Sequence, residues 1–279
     1  MRTKMKTSIL IAVAACLTIS VIVAGVVVAV LVKGNNQIKI QKAAEKNAAD
    51  IAEAARQNKL DMEAAVRKNK LKAAEASEFW LKMGEKEFNT IKQAEYYTRA
   101  IEKDGSNAPA YAFRGLNYLL RDKNLEAVSD ITRAMDLDPR LKNAKQYSIR
   151  GQAYATMGNY SEAVSDLTES IKLEPKNAKW YDSRSYSYKN QKKYSEAIVD
   201  LSKAIELDPK NSYYYHNRGE VYNLAERYAE AVADSTRAIE IFPKAFYAYK
   251  TRSVAYRGLG DLEKAIKDEA SFISMRRGN

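Results

Sequence analysis

Across residues 108–243 the apolar and small positions recur at i, i+4 and i+7, and the whole pattern restarts about every 34 residues. Tyr147, Gly151 and Tyr154 form one such stripe, and Ala163, Leu167 and Ser170 form a second that can face it. Small residues in both stripes let two helix backbones approach closely. Gly158 lies between them, where a tight turn is needed, and Pro175 stands where the second helix cannot continue. Pro139, Pro175, Pro209 and Pro243 are spaced 36, 34 and 34 residues apart. The pattern predicts a row of antiparallel helix hairpins, each with two apolar faces, the second of which is buried only by a neighbour.

One repeat shows the recurring residues in full: Tyr215, Arg218, Gly219, Tyr222, Tyr228, Ala231 and Ala238. At these positions the chain resembles the tetratricopeptide repeat (TPR) family, whose signature sets large, small and aromatic residues and a proline at fixed offsets. The resemblance runs over 78–279. It divides into hairpins at 78–107, 108–143, 144–177, 178–211, 212–245 and 246–279, the first degenerate because Gly105 replaces the proline. The expected fold is all-α: a TPR superhelix of about six helix hairpins, preceded by a transmembrane helix and a helical stalk. The resemblance implies a protein-interaction scaffold whose concave face takes a peptide or helix from a partner.

Removing the first-helix positions buried between helices leaves the groove candidates Lys145, Gln152, Lys179, Tyr186, Lys189, Tyr213, His216, Asn217 and Lys250. Ile149, Asp182 and Glu220 are expected on the same face. This is a polar surface with a basic bias and exposed aromatic rings, suited to a partner with acidic segments. A TPR subclass that grips acidic chaperone C-termini needs a set of Lys and Asn that is incomplete here. Leu81, Glu85 and Phe113 occupy its first positions, although Asn217 has the right place in its own hairpin.

A different regularity joins the two helices of each full repeat. Arg114, Arg150, Arg184, Arg218 and Arg252 are each followed sixteen residues later by Asp130, Asp166, Asp200, Asp234 and Asp268. In an antiparallel hairpin these positions lie at similar height, which predicts an ion pair repeated along the array, because an unpaired charge at a buried site is costly.

The segment ahead of the repeats has a different character. Ser8 to Val32 contains no charge over 25 residues. As a helix it would be about 37 Å long and would cross a hydrocarbon core of about 30 Å. It is read as a transmembrane anchor after a basic tail at 1–7, being too long for a cleaved signal. Lys33, Lys39 and Lys42 on the far side balance Arg2, Lys4 and Lys6, so charge does not orient it; a signal-anchor of this kind places the large domain outside a bacterial cytoplasmic membrane. Residues 33–77 form an alanine-rich stretch in which Asn36, Asn47, Asn58 and Asn69 recur every 11 residues, in step with Ile40, Ile51 and Met62. Such a period keeps one stripe along a nearly straight helix, predicting a stalk that is either a solvated spacer or a self-association surface.

Composition narrows the function further. The net charge is +11, and residues 1–77 carry 13 basic against 6 acidic residues, so most of the excess lies outside the repeats and a nucleic-acid partner is not expected. The chain has one Cys and one His and no phosphate-binding loop or nucleophile elbow, so no metal, cofactor or enzymatic activity is expected. Ile266, Phe272 and Ile273 at the end of the last hairpin lack an evident cover, which marks that face, with the stalk, as a possible homo-oligomer contact.

Overall fold

The computed structural model describes residues 37–277. The chain divides between Lys72 and Ala73 into two units. The expected anchor at 8–32 lies outside the described residues, and among the described residues no helix is long and apolar enough to cross a membrane.

Helix α1 (Gln37–Lys86) spans 50 residues, about 75 Å at 1.5 Å per residue. From Gln41 to Lys72 every side chain is exposed. This part is held by the propensity of its Ala, Lys, Glu and Gln rather than by burial. Side-chain bonds one turn apart, such as Gln57 Nε2 to Asp61 Oδ1 at 2.9 Å, add local support. The expected junction between stalk and repeats at Ser77 falls inside the bounds of α1.

The second unit continues with α2 (Thr90–Lys103), α3 (Ala108–Leu120), α4 (Asn124–Leu137), α5 (Ala144–Thr156) and α6 (Tyr160–Leu173). After these come α7 (Ala178–Asn190), α8 (Tyr194–Leu207), α9 (Ser212–Leu224), α10 (Tyr228–Ile241), α11 (Phe246–Gly258) and α12 (Leu262–Arg277). Among the described residues there is no β-strand. From α2 onward neighbouring helices pack on one another in chain order, and first helices also touch the first helices of adjacent hairpins. That is the stacking of a helical superhelix.

The first helices of four successive hairpins begin at an asparagine. The side chains of Asn107, Asn143, Asn177 and Asn211 accept a backbone N–H in the first turn, satisfying a donor that the helix leaves free. The second helices of these four hairpins, α4, α6, α8 and α10, have no such cap and stop just before a proline, at Asp138, Glu174, Asp208 and Phe242, whereas Asn89 and Asp261 cap α2 and α12. Inside each of the five full hairpins one residue takes a left-handed conformation: Asp122, Gly158, Lys192, Glu226 and Gly260, with φ of 57°, 82°, 60°, 59° and 81°. Only two of these five are glycine.

Small residues dominate the contact between paired helices. Ala127, Ala163, Ala197 and Ala231 are fully buried, alongside Ile131, Leu167 and Leu201. A methyl group on Gly151 would lie 3.0 Å from Leu167 Cγ, so the close approach that the sequence implies at this position does occur. A short 3-10 turn, Pro139–Leu141, accounts for the longer spacing between the first two prolines.

Candidate functional site

All five Arg–Asp pairs form, and each is bidentate. Arg Nε donates to one carboxylate oxygen at 2.7–2.8 Å and Nη2 to the other at 2.8–2.9 Å in the pairs Arg114–Asp130, Arg150–Asp166, Arg184–Asp200, Arg218–Asp234 and Arg252–Asp268. The arginines also make a bond that sequence reasoning missed. Nη1 donates to a hydroxyl of the preceding hairpin: Thr98, Thr132, Thr168, Ser202 and Thr236, at 2.9–3.1 Å. Thr98, Thr168 and Ser202 in turn donate to the carbonyl four residues earlier, leaving the hydroxyl oxygen free to accept. The signal was present, since a Thr or Ser stands two residues after Asp130, Asp166, Asp200 and Asp234. Hydrogen bonds to Asp166, Asp200, Asp234 and Asp268 raise the pKa of Arg150, Arg184, Arg218 and Arg252, against the opposing effect of burial. The ladder is therefore internal structure, and its charges are not offered to a ligand.

The groove candidates separate into groups. Gln152, Tyr186, Lys189 and Asn217 come together with Asp182 in one cleft of about 390 Å³ between α5, α7 and α9, floored by Leu167, Leu201 and Val221. Lys145 lines a different cavity of about 180 Å³, with Pro109, Ala112, Phe113, Leu116, Leu141, Gln146 and Ile149. Lys179 lines a shallow depression beside Pro175 and Asp208. Tyr213 stacks on Tyr247 with ring centroids 4.6 Å apart, and the same Tyr247 ring lies 4.6 Å from His216. Lys250 reaches over Phe272 in the last hairpin.

Several residues differ from their expected state. Ile149, expected on the open face, is 4% exposed because Ile131 and Met135 pack behind it and Leu116 beside it. His216 is not a solvated groove residue: its side chain is 12% exposed and Nδ1 lies 3.0 Å from Thr251 Oγ1. Burial lowers its pKa, with Glu220 acting against that and Lys189 adding to it. Lys189 Nζ donates to Glu220 Oε2 at 2.9 Å, so its charge is already matched. Asn217 Nδ2 donates to Asp182 Oδ1 at 2.7 Å. Burial raises the pKa of Asp182, opposed by that hydrogen bond and by Lys189. The centre of the groove thus holds a half-buried carboxylate beside a neutralised lysine, the reverse of the basic surface expected. Of the groove candidates, Lys145, Lys179 and Lys250 make no ion pair among the described residues, and each stands at a separate place on the array.

Residues 144–177 and 212–244 match the family described as "Tetratricopeptide repeat", and residues 186–225 match "TPR repeat". No curated protein sequence matches the chain. Among solved structures it is similar to YrrB, described as a TPR protein with an unusual peptide-binding site, at 20% identity and a TM-score of 0.53, over 66% of this chain and 94% of that one. It is also similar to MamA from Desulfovibrio magneticus RS-1, residues 41 to the end, at 17% identity and a TM-score of 0.56, over 62% and 96% of the two chains. A third similar structure, from the APC/C hetero-tetramer Cut9-Hcn1, has 16% identity and a TM-score of 0.58, over 74% of this chain and 41% of that one. The chain carries tetratricopeptide repeats, stacked in the all-α fold that these structures share.

Proposed function

We propose that the protein is an adaptor that holds an extended segment of a partner protein along the first helices of its repeats. The observation that carries this reading is the cleft in which Gln152, Tyr186, Lys189 and Asn217, four residues picked out by their repeat positions, converge with Asp182. Hydrogen-bonding side chains over an apolar floor suit a peptide backbone with intermittent side-chain contacts. The acidic preference expected from sequence is weakened, since Lys189 is matched by Glu220 and Lys145, Lys179 and Lys250 stand outside the cleft that holds Asp182. Residues 8–32 would hold the adaptor at a membrane as a single-pass anchor, supported by 25 uncharged residues.

The test is selection of a random peptide display library on the full chain in mild detergent, followed by affinity measurement with two variants. Tyr186→Arg places charge in the cleft, whereas Val199→Arg alters a position on α8 that is 67% exposed and outside it. Selected peptides should lose at least about tenfold in affinity with the first and keep it with the second. Equal affinity for both variants would move the site elsewhere.

A second reading, a self-assembling spacer without a peptide ligand, is favoured by exposed apolar residues. Ile51 and Met62 lie 11 residues apart on α1, and Ile266 and Ile273 are exposed on α12. Sedimentation of the full chain, with Ile51 and Met62 both changed to Gln, separates the two readings. The spacer requires an oligomer that the double variant dissolves.

A further inference from the structure

The cavity beside Lys145 belongs to the same face as the central cleft. Along α3 the cavity takes Ala112 and Leu116 and the cleft takes Leu119; along α5 the cavity takes Ile149 and the cleft Gln152. The two therefore follow one another by a single helical step of about 4.5 Å on each helix, and Asp182 stands one helix further on, on α7, about 10 Å across. Their chemistry differs. Pro109, Ala112, Phe113, Leu116, Leu141 and Ile149 give the first apolar walls, while the second presents the carboxylate of Asp182.

We propose that cavity and cleft together hold one partner segment that carries an apolar side chain and, about three residues away in an extended chain, an amine or guanidinium. The inference rests on the groove being a peptide site and names what that peptide must bring. At about 180 Å³ the cavity has the room of an apolar cavity that holds a benzene ring, so it takes one aromatic or branched aliphatic side chain. The Asp182 carboxylate accepts one hydrogen bond among the described residues, from Asn217, and forms no ion pair among them. Lys189, the cation nearest in the cleft, spends its short contact on Glu220 instead. A half-buried carboxylate without a counter-ion selects a cation or a strong donor and repels an acidic side chain. Leu141 contributes to the cavity because the 3-10 turn at Pro139–Leu141 adds residues between α4 and α5, so an array with regular 34-residue spacing throughout would lack this wall.

The experiment uses the peptides enriched from the random library on the full chain. The expected enrichment is an aromatic or branched aliphatic residue with Lys or Arg two to four positions away. An enriched peptide should bind Asp182→Asn at least about tenfold more weakly, and replacing its basic residue by Met should erase the difference between the variant and the parent protein. Ala112→Met, which fills the cavity, should weaken binding of the same peptide while a version with Gly at the apolar position binds both proteins alike. Enrichment of acidic peptides, or of peptides whose affinity Asp182→Asn leaves unchanged, would overturn this inference and leave the groove reading standing. No enrichment over the unselected library would overturn both.

Discussion

At Asp182 the demands of folding and of binding oppose each other. Its carboxyl has a pKa raised above the ordinary 3.8 by burial, facing Asn217 from α9 and Lys189 from its own helix. Because the folded state holds this proton more tightly, the stability it brings is present below pH 3.8 and is lost as pH rises through the raised value. At neutral pH the ionised form is a cost. Asp182→Asn is therefore expected to keep or raise the thermal midpoint at pH 7, with the gain vanishing below pH 3.8, while weakening the proposed peptide contact. A lower midpoint at pH 7 would show that Asp182 is structural. The ladder aspartates serve packing instead, since each is buried and bound by two arginine nitrogens. Asp200→Ala leaves Arg184 without its partner and should cost about 3–5 kcal/mol in urea unfolding. That contrast shows what sequence spacing could and could not reveal. The constant offset between Arg184 and Asp200 made the ladder legible, but Lys189 with Glu220 and Asn217 with Asp182 are single contacts whose residue types do not recur along the array, so no repetition marks them. Ile149 was misplaced for a related reason: its burial depends on packing by Ile131, Met135 and Leu116 from other helices, not on its repeat position alone.

The hairpins were legible as elements because period, small-residue contacts and terminal prolines agree, and the paired helices α3 to α12 follow that pattern. Their turns were less legible. Gly158 showed the need for a left-handed residue, yet the equivalent positions hold Asp122, Lys192 and Glu226 at φ near 60°. A residue with a β-carbon is strained there by about 1 kcal/mol, more for the longer side chains than for aspartate. Glu226→Gly should remove that strain, offset in part by the greater freedom of glycine in the unfolded chain, for a net gain of up to about 1 kcal/mol. Chemical denaturation of parent and variant measures it, and a loss of stability would show that the Glu226 side chain makes a compensating contact. The cap series ends at a different place from the turn series. Ala245 stands at the start of α11 where Asn107, Asn143, Asn177 and Asn211 cap the earlier first helices, and no side chain replaces that bond. The long α1 follows neither rule. It is exposed from Gln41 to Lys72, and burial begins only where Ser77 Oγ donates to Ala100 O at 2.7 Å.

Along the array of 73–277 the arginine ladder changes at both ends in ways that fit its chemistry. Sixteen residues before Tyr96, which takes the aspartate position of the first hairpin, stands Trp80 where later hairpins have Arg, and the two rings stack 5.8 Å apart. An arginine at Trp80 would find no preceding hydroxyl for Nη1. In the last hairpin Ala270 occupies the hydroxyl position two residues after Asp268, so the last link is from Arg252 to Thr236. Each internal link joins the cores of two hairpins, which matters because stacked repeats are stabilised by nearest-neighbour interfaces rather than by one shared core. Removing a link in the middle and one at the end should then have different consequences. Thr168→Val takes away the acceptor for Arg184 Nη1 between α6 and α7, costing about 1.5–3 kcal/mol at a central interface. It should lower the m-value and broaden the urea transition, with hydrogen exchange showing two blocks that open separately about that interface. Thr98→Val removes the equivalent bond to Arg114 at the first interface, with the same local cost. There it should free only α2 and the end of α1, leaving the protection of α5 to α10 as it was. If both variants shift the midpoint equally at unchanged m-value, the array unfolds as a single cooperative unit and the hydroxyl links do not set its coupling.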